Sequence, residues 1–183
     1  MNLTGQIIVS MPSLEDERFY KTVIYICAHS SEGSMGIIIN KKIDYDLYPD
    51  LLQQLGIDKP LNNKKLFIRY GGPVESGRGF VLHSDDMVRK ETLNIDKGVA
   101  LTSTAEFFED LSKGKGPKNC ILALGYAGWQ PGQLESEIMR NSWMSLSVDN
   151  SFLFDDEVSR KWSQAYKLIG IDPNSLSSES GRA

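Results

Sequence analysis

A single α+β domain is what this sequence predicts, and three observations lead there. Short runs of Ile, Val and Tyr bounded by glycine or polar residues recur along the chain and read as strands. Segments with apolar residues at helical spacing interrupt them without the regular alternation of a doubly wound parallel sheet. A chain of 183 residues fits one domain with a sizeable core and needs no linker.

Taken in order, "GQIIVS", "TVIYICAH", "MGIIIN" and "KLFIRYGG" are the first strands, with a short helix at "YPDLLQQLG" before the last of them. That helix would use Pro49 near its first turn and bury Leu51, Leu52 and Leu55. In "RYGGPV", Gly71 and Gly72 permit a sharp turn or bulge and Pro73 cannot donate to a central ladder, so a hairpin-like connection to "RGFVLHS" is expected. A strand around "GVALTS" precedes "STAEFFEDLSKG", where Ser103 and Glu106 have capping-box spacing, Phe107, Phe108 and Leu111 form an apolar stripe and Gly114 stops the helix. "NCILALGY" and "WMSLSV" complete about eight strands. Between them, Leu134 and Ile138 lie one helical turn apart and face the core, while Gln133 and Glu137 share a neighbouring face. The last helix, "DDEVSRKWSQAYKLIG", carries Val158, Trp162, Ala165, Tyr166 and Ile169 at helical spacing, which assigns Trp162 to the core. The domain is expected over residues 1–172. The small polar residues of 173–183 cannot repay the entropy of ordering, and that tail is expected to fray.

Composition narrows the function classes. A net charge of -4 and a pI near 5.2 oppose non-specific attraction to phosphate backbones or anionic lipid, and Lys and Arg form no basic patch. No direct nucleic-acid contact is expected. Cys27 and Cys120 sit inside strand-like runs, where a free thiol packs as a small hydrophobe. The N-terminus lacks the basic start and long apolar core of a secretory signal, and no segment approaches ~20 consecutive apolar residues. A cytoplasmic protein without membrane contact is the expectation.

Candidate sites are few. "LGYAGWQPGQLESEI" opens a helix with Gly125, Gly128 and Gly132, but lacks both the dinucleotide and the P-loop spacing. Glu135 and Glu137 in the first turns would repel a phosphate. The corner therefore reads as a chain reversal, with Gly128 in a backbone conformation that a β-branched residue resists. Trp129 can pack while its N–H finds a partner, and Gln133 and Glu137 can line a cleft beside it. His29 and His83 each end a strand and could share one rim, with Glu32 or Asp85 nearby, but two histidines without a third ligand make no zinc site and no metal or cofactor is expected. No G-x-S-x-G elbow accompanies them. Asn40 and Asn141 fall at element ends, where Asn bonds nearby backbone and tolerates left-handed geometry. His29, Asn40, His83, Trp129, Gln133 and Glu137 are thus the candidate cleft, and no catalytic residue is assigned.

Together these segments resemble the bacterial YqgE/AlgH family from Gly5 to about Phe154. The resemblance is carried by Pro12, Phe19 and Val23, by "H-x-x-x-G-x-x-G-x-x-x-N" from His29 through Gly33 and Gly36 to Asn40, and by "GGPV" and "GFVLH". "GYAGW-x-x-GQLE-x-E" with Asn141 and Trp143 completes it. It implies a compact domain whose strongly curved, mixed but largely antiparallel sheet is flanked by helices, in a cytoplasmic protein. The family's AlgH branch has been described as a transcriptional regulator of exopolysaccharide synthesis, with no reaction or cofactor established. The expectation is a non-enzymatic binding or regulatory protein acting on a protein or small-molecule partner. The alternative is a small hydrolase-like or metal-assisted enzyme using a His29/His83 rim.

Overall fold

The computed structural model describes residues 2–43, 53, 68–96 and 98–176. Of the helix expected at "YPDLLQQLG" only Gln53, which is helical, is among them; the rest of that segment, the first part of "KLFIRYGG" and residues 177–183 of the tail lie outside. Among the described residues, the nine strands and four α-helices with defined bounds follow the order β1 (Ile7–Ser10), β2 (Val23–Ser30), β3 (Gly33–Ile38), β4 (Ile68–Tyr70), β5 (Val74–Ser84), β6 (Leu93–Asp96), β7 (Val99–Thr102), α1 (Ala105–Ser112), β8 (Cys120–Trp129), α2 (Gln133–Met139), β9 (Trp143–Leu146), α3 (Asn150–Phe154) and α4 (Val158–Leu168). A single 3₁₀ turn follows at Pro173–Ser175.

One sheet runs β6-β7-β5-β8-β3-β2-β1-β9, antiparallel throughout, with β4 added parallel to β8. Among the described residues it does not close, and β6 and β9 are its edges. It curves strongly. β1 and β7 lie five strand steps apart, ~24 Å in a flat sheet, yet Ile7 and Val9 share one buried cluster with Val99 and Leu101. Leu153 of α3 and Trp162, Ala165 and Tyr166 of α4 fill that concave interior. The Trp162 indole and the Tyr166 hydroxyl both donate to the Ser10 carbonyl, at 2.9 and 3.0 Å, so α4 is pinned to β1.

Alternation gives the sheet a second buried face. Ile8, Ile24, Ile26 and Ile38 pack under Leu134 of α2, and Val81, Leu122 and Leu124 pack under Phe107, Phe108 and Leu111 of α1. Cys27 lies in the interior, where burial pushes its thiol up to about 12, and it forms no disulfide with Cys120.

Three details depart from the sequence reading. The first residue before α1 is Thr104, without a side-chain cap, so Ser103 and Glu106 form no capping box; the Ser103 hydroxyl instead accepts from Arg78 at 3.0 Å. Asp149, which accepts from Phe152 N–H at 2.9 Å, starts the unexpected helix α3. The third concerns "RYGGPV", which makes no hairpin. Leu122 of β8 pairs with Ile68 of β4 and with Val81 of β5, so the two strands lie on opposite edges of β8 and Gly71–Pro73 must carry the chain across its backbone. Glycine makes that crossing possible. A Cβ on Gly71 would sit 2.2 Å from Gly125 O, and one on Gly72, at φ +151°, 2.1 Å from the Tyr126 carbonyl carbon. A Cβ on Gly125, at φ +68°, would sit 2.4 Å from Gly72 O.

Candidate functional site

A cleft of about 380 Å³ opens between the end of β8, α2 and the loop before β2. Its walls are aromatic because two strand ends and a loop converge there. Trp129 ends β8, Trp143 starts β9 and Phe19 comes from the short 3₁₀ turn Glu17–Phe19. Trp143 meets Trp129 edge to face at 6.2 Å and Phe19 at 5.5 Å. Both tryptophans are almost fully buried, so their indole N–H groups require partners.

One carboxylate supplies both. Glu137 Oε2 accepts from Trp129 Nε1 at 2.9 Å and from Trp143 Nε1 at 2.8 Å, while Oε1 accepts from Gln133 Nε2 at 2.8 Å. Gln133 Oε1 in turn accepts from Gln130 N–H at 2.9 Å. The one-turn spacing of Gln133 and Glu137 thus becomes a network that fixes α2 on the strand ends. At the mouth, Asp16 and Arg18 form a 2.7 Å ion pair, and the guanidinium holds the Asp16 carboxyl below its ordinary range.

Of the six candidate residues, the structure brings together Trp129, Gln133 and Glu137. Asn40 is not in the cleft. Its Oδ1 accepts from Val23 N–H and its Nδ2 donates to Lys21 O, both at 2.8 Å, holding Lys21 at φ +47° between the 3₁₀ turn and β2. His29 lies on the far side of α2 from Gln133 and Glu137. Its Nδ1 contacts Ser34 Oγ at 3.0 Å and its Nε2 contacts Glu135 Oε1 at 3.3 Å, tying β2 and β3 to α2.

The shared histidine rim is a correction. His83 pairs with Cys120 at the start of β8, whereas His29 pairs with Ser34, which lies opposite Trp129 at its end. At ~3.3 Å per residue these are on the order of 30 Å apart along the strand. His83 is fully buried against Phe107. The Ser84 carbonyl can only accept, so Nδ1 carries the proton, and Nε2 accepts from the Thr102 hydroxyl at 2.9 Å. Thr102 then accepts from Thr92, which accepts from Arg89 N–H. Burial pushes the imidazole below its ordinary range, and this closed chain suits a neutral structural histidine. Among the described residues no three His, Cys, Asp or Glu side chains cluster as metal ligands.

The glycine corner is corrected in part. The chain does reverse between Trp129 and α2, but through Gly132, at φ +73°. Gly128 is an ordinary strand residue paired with Met35. Sequence reasoning missed Asp16, Arg18 and Trp143 as cleft residues; of these only Trp143 carried a signal, through the "N-x-W" that follows the acidic helix.

Fold and cleft define a class: an α+β scaffold on a nine-stranded sheet, with an aromatic-walled cleft lined by a carboxylate that bridges two indoles. The chain belongs to the AlgH-like (DUF179) family, whose model matches residues 7–174. A UPF0301 protein of Rhodopseudomonas palustris is 50% identical over 99% of this chain and 89% of its own length. One from Beijerinckia indica is 48% identical over 99% and 92%. The solution structure of AlgH from Pseudomonas aeruginosa superposes with a TM-score of 0.79 at 32% identity, covering 100% of this chain and 97% of that one. A Corynebacterium diphtheriae crystal structure shares the fold, with a TM-score of 0.71 at 19% identity over 98% and 93%. Among the described residues no helix is long and apolar enough to cross a membrane.

Proposed function

We propose that this is a non-enzymatic binding or regulatory protein of the cytoplasm, acting on a protein or small-molecule partner through the Trp129–Trp143–Glu137 cleft. The observation that carries this reading is how the cleft's polar groups are used. Glu137 accepts three hydrogen bonds from neutral donors, and Asp16 and Arg18 satisfy one another. A carboxylate so engaged is a poor general base, whereas rigid aromatic walls suit recognition. The transcriptional role described for the AlgH branch then operates indirectly, because a chain of net charge -4 has no electrostatic footprint for DNA.

A mass-spectrometric inventory of what co-purifies with the native protein, followed by titration of the enriched molecules against tryptophan fluorescence, tests the reading. The expected result is a saturable change that is weakened in Glu137→Gln. Chemical turnover of such a molecule, lost in Glu137→Gln, would refute the non-enzymatic assignment.

A further inference from the structure

Strand β8 lies inside the sheet, yet one of its backbone edges is open where it enters the cleft. Just past the end of β3, Ile39 N–H donates to Val23 O on β2, while Ile38 N–H, at the end of β3, donates to Gly71 O on the other side. Successive residues of a strand face opposite edges, so Gly36 and Ser34, like Ile38, face away from β2 and toward β8. The pairs Gly36↔Ala127 and Ser34↔Trp129 therefore carry the ladder bonds, and the pair between them, Met35↔Gly128, does not. The N–H and C=O of Gly128 point the opposite way, off the edge that β5 would occupy. β5 has already left. Its last partner on β8 in this direction is Val74↔Tyr126, and among the described residues no backbone group pairs with Gly128 on that side. Gly128 is exposed and lines the cleft beside Pro73 and Val74.

The fold itself does not demand glycine there. The backbone is extended, and an added Cβ would meet two side chains and no backbone, the edge of the Tyr126 ring at 3.3 Å and Val74 Cγ2 at 3.8 Å. What a side chain would obstruct is approach to the open edge. Charge adds a second constraint. Asp16 and Arg18 cancel, leaving Glu137 as the one carboxylate in the cleft without a cationic partner, between two indoles.

We propose that the cleft receives an extended peptide segment of a partner protein, which adds to β8 by pairing with Gly128 N–H and C=O and sets a Lys or Arg side chain against Glu137. This rests on the binding-cleft reading and names its partner. Main-chain pairing supplies register, and a cation beside tryptophan and a carboxylate supplies selectivity.

The test is a titration of the full chain, followed through the Gly128 amide and the Trp129 and Trp143 indole signals in ¹H–¹⁵N spectra. The probes are mixtures of acetylated, amidated pentapeptides with a central Arg and Val, Thr, Leu or Tyr at the flanks. Matched mixtures carry a central Glu, or Arg with N-methylated alternate amides. The Arg set is expected to give saturable shifts at all three signals in the millimolar range, and each matched set to bind at least ~tenfold more weakly, about 1.4 kcal/mol. Gly128→Val is expected to abolish the shifts while melting close to the wild type. Equal binding of the N-methylated or Glu sets, or undiminished binding to Gly128→Val, would overturn the proposal. So would silence of every peptide set. If a co-purified small molecule moved the indole signals while all peptides stayed silent, the peptide assignment would fail and the binding cleft would stand.

Discussion

Replacing Gly72 by alanine tests the chain crossing over β8 directly. The new Cβ would lie 2.1 Å from the Tyr126 carbonyl carbon, 2.3 Å from its oxygen and 2.4 Å from Ala127 N, all of them backbone atoms. Ordinary contact begins near 3.4 Å, so one of the two chains must move by more than an ångström. β8 cannot give easily, because β4 and β5 hold its two edges just before the crossing. Overpacking costs about 1–3 kcal/mol, and holding an L-residue at φ +151° adds about 1–3 kcal/mol. The sum, roughly 2–6 kcal/mol, is a large share of the 5–15 kcal/mol typical of a domain. At about 2–4 °C per kcal/mol for a chain of this size, melting should fall by roughly 5–20 °C. Gly77→Ala is the matched control, since nothing lies within 4 Å of its added Cβ, and it should stay within about 1 kcal/mol of the wild type. Urea and thermal unfolding followed by circular dichroism measure both. If Gly72→Ala unfolds no earlier than Gly77→Ala, the chain does not pass directly over β8 and the account of "GGP" is wrong.

Glu137→Gln removes the charge that strengthens both indole bonds and, with its carbonyl kept on the indoles, turns an amide N–H donor toward the Gln133 Nε2 donor; it should cost about 1–3 kcal/mol and shift tryptophan emission, read by urea unfolding and fluorescence. Burial lowers the His83 pKa, so the unfolded chain takes up a proton that the folded chain refuses. Stability is then full above about pH 6.5 and falls on acidification below it, by at most ~1.4 kcal/mol per pH unit, and His83→Gln should flatten that slope. Lys161 is buried with its Nζ on the carbonyls of Phe152 and Leu153, and burial brings it down to about 8. The unfolded chain therefore binds more protons between about pH 8 and 10, and stability relative to Lys161→Met should rise with pH across that window.

Much of the sheet was legible because its inner strands bury both faces and so read as unbroken Ile, Val and Leu runs. β6 was missed for the opposite reason: Leu93–Asp96 is a mostly exposed edge strand with no apolar alternation. In the site, Gln133 and Glu137 could be paired from helical spacing alone. That Glu137 bridges Trp129 and Trp143, and that Asp16 and Arg18 reach the same mouth, depends on β9 joining β1 at the sheet's far edge, which no local pattern encodes. The histidine rim failed on strand direction. Two residues that each end a strand share a rim only if their strands finish at the same end of the sheet, and β2 and β5 do not.

The place of β8 between β4 and β5 also sets an order of assembly. It pairs with β3, β4 and β5, all of which precede it in the chain, and the β4–β5 link already spans the place it must occupy. As the polypeptide leaves the ribosome, those three strands therefore wait with open hydrogen-bonding edges until β8 has emerged. Such non-local closure makes for slow folding from a long-lived, association-prone nascent chain.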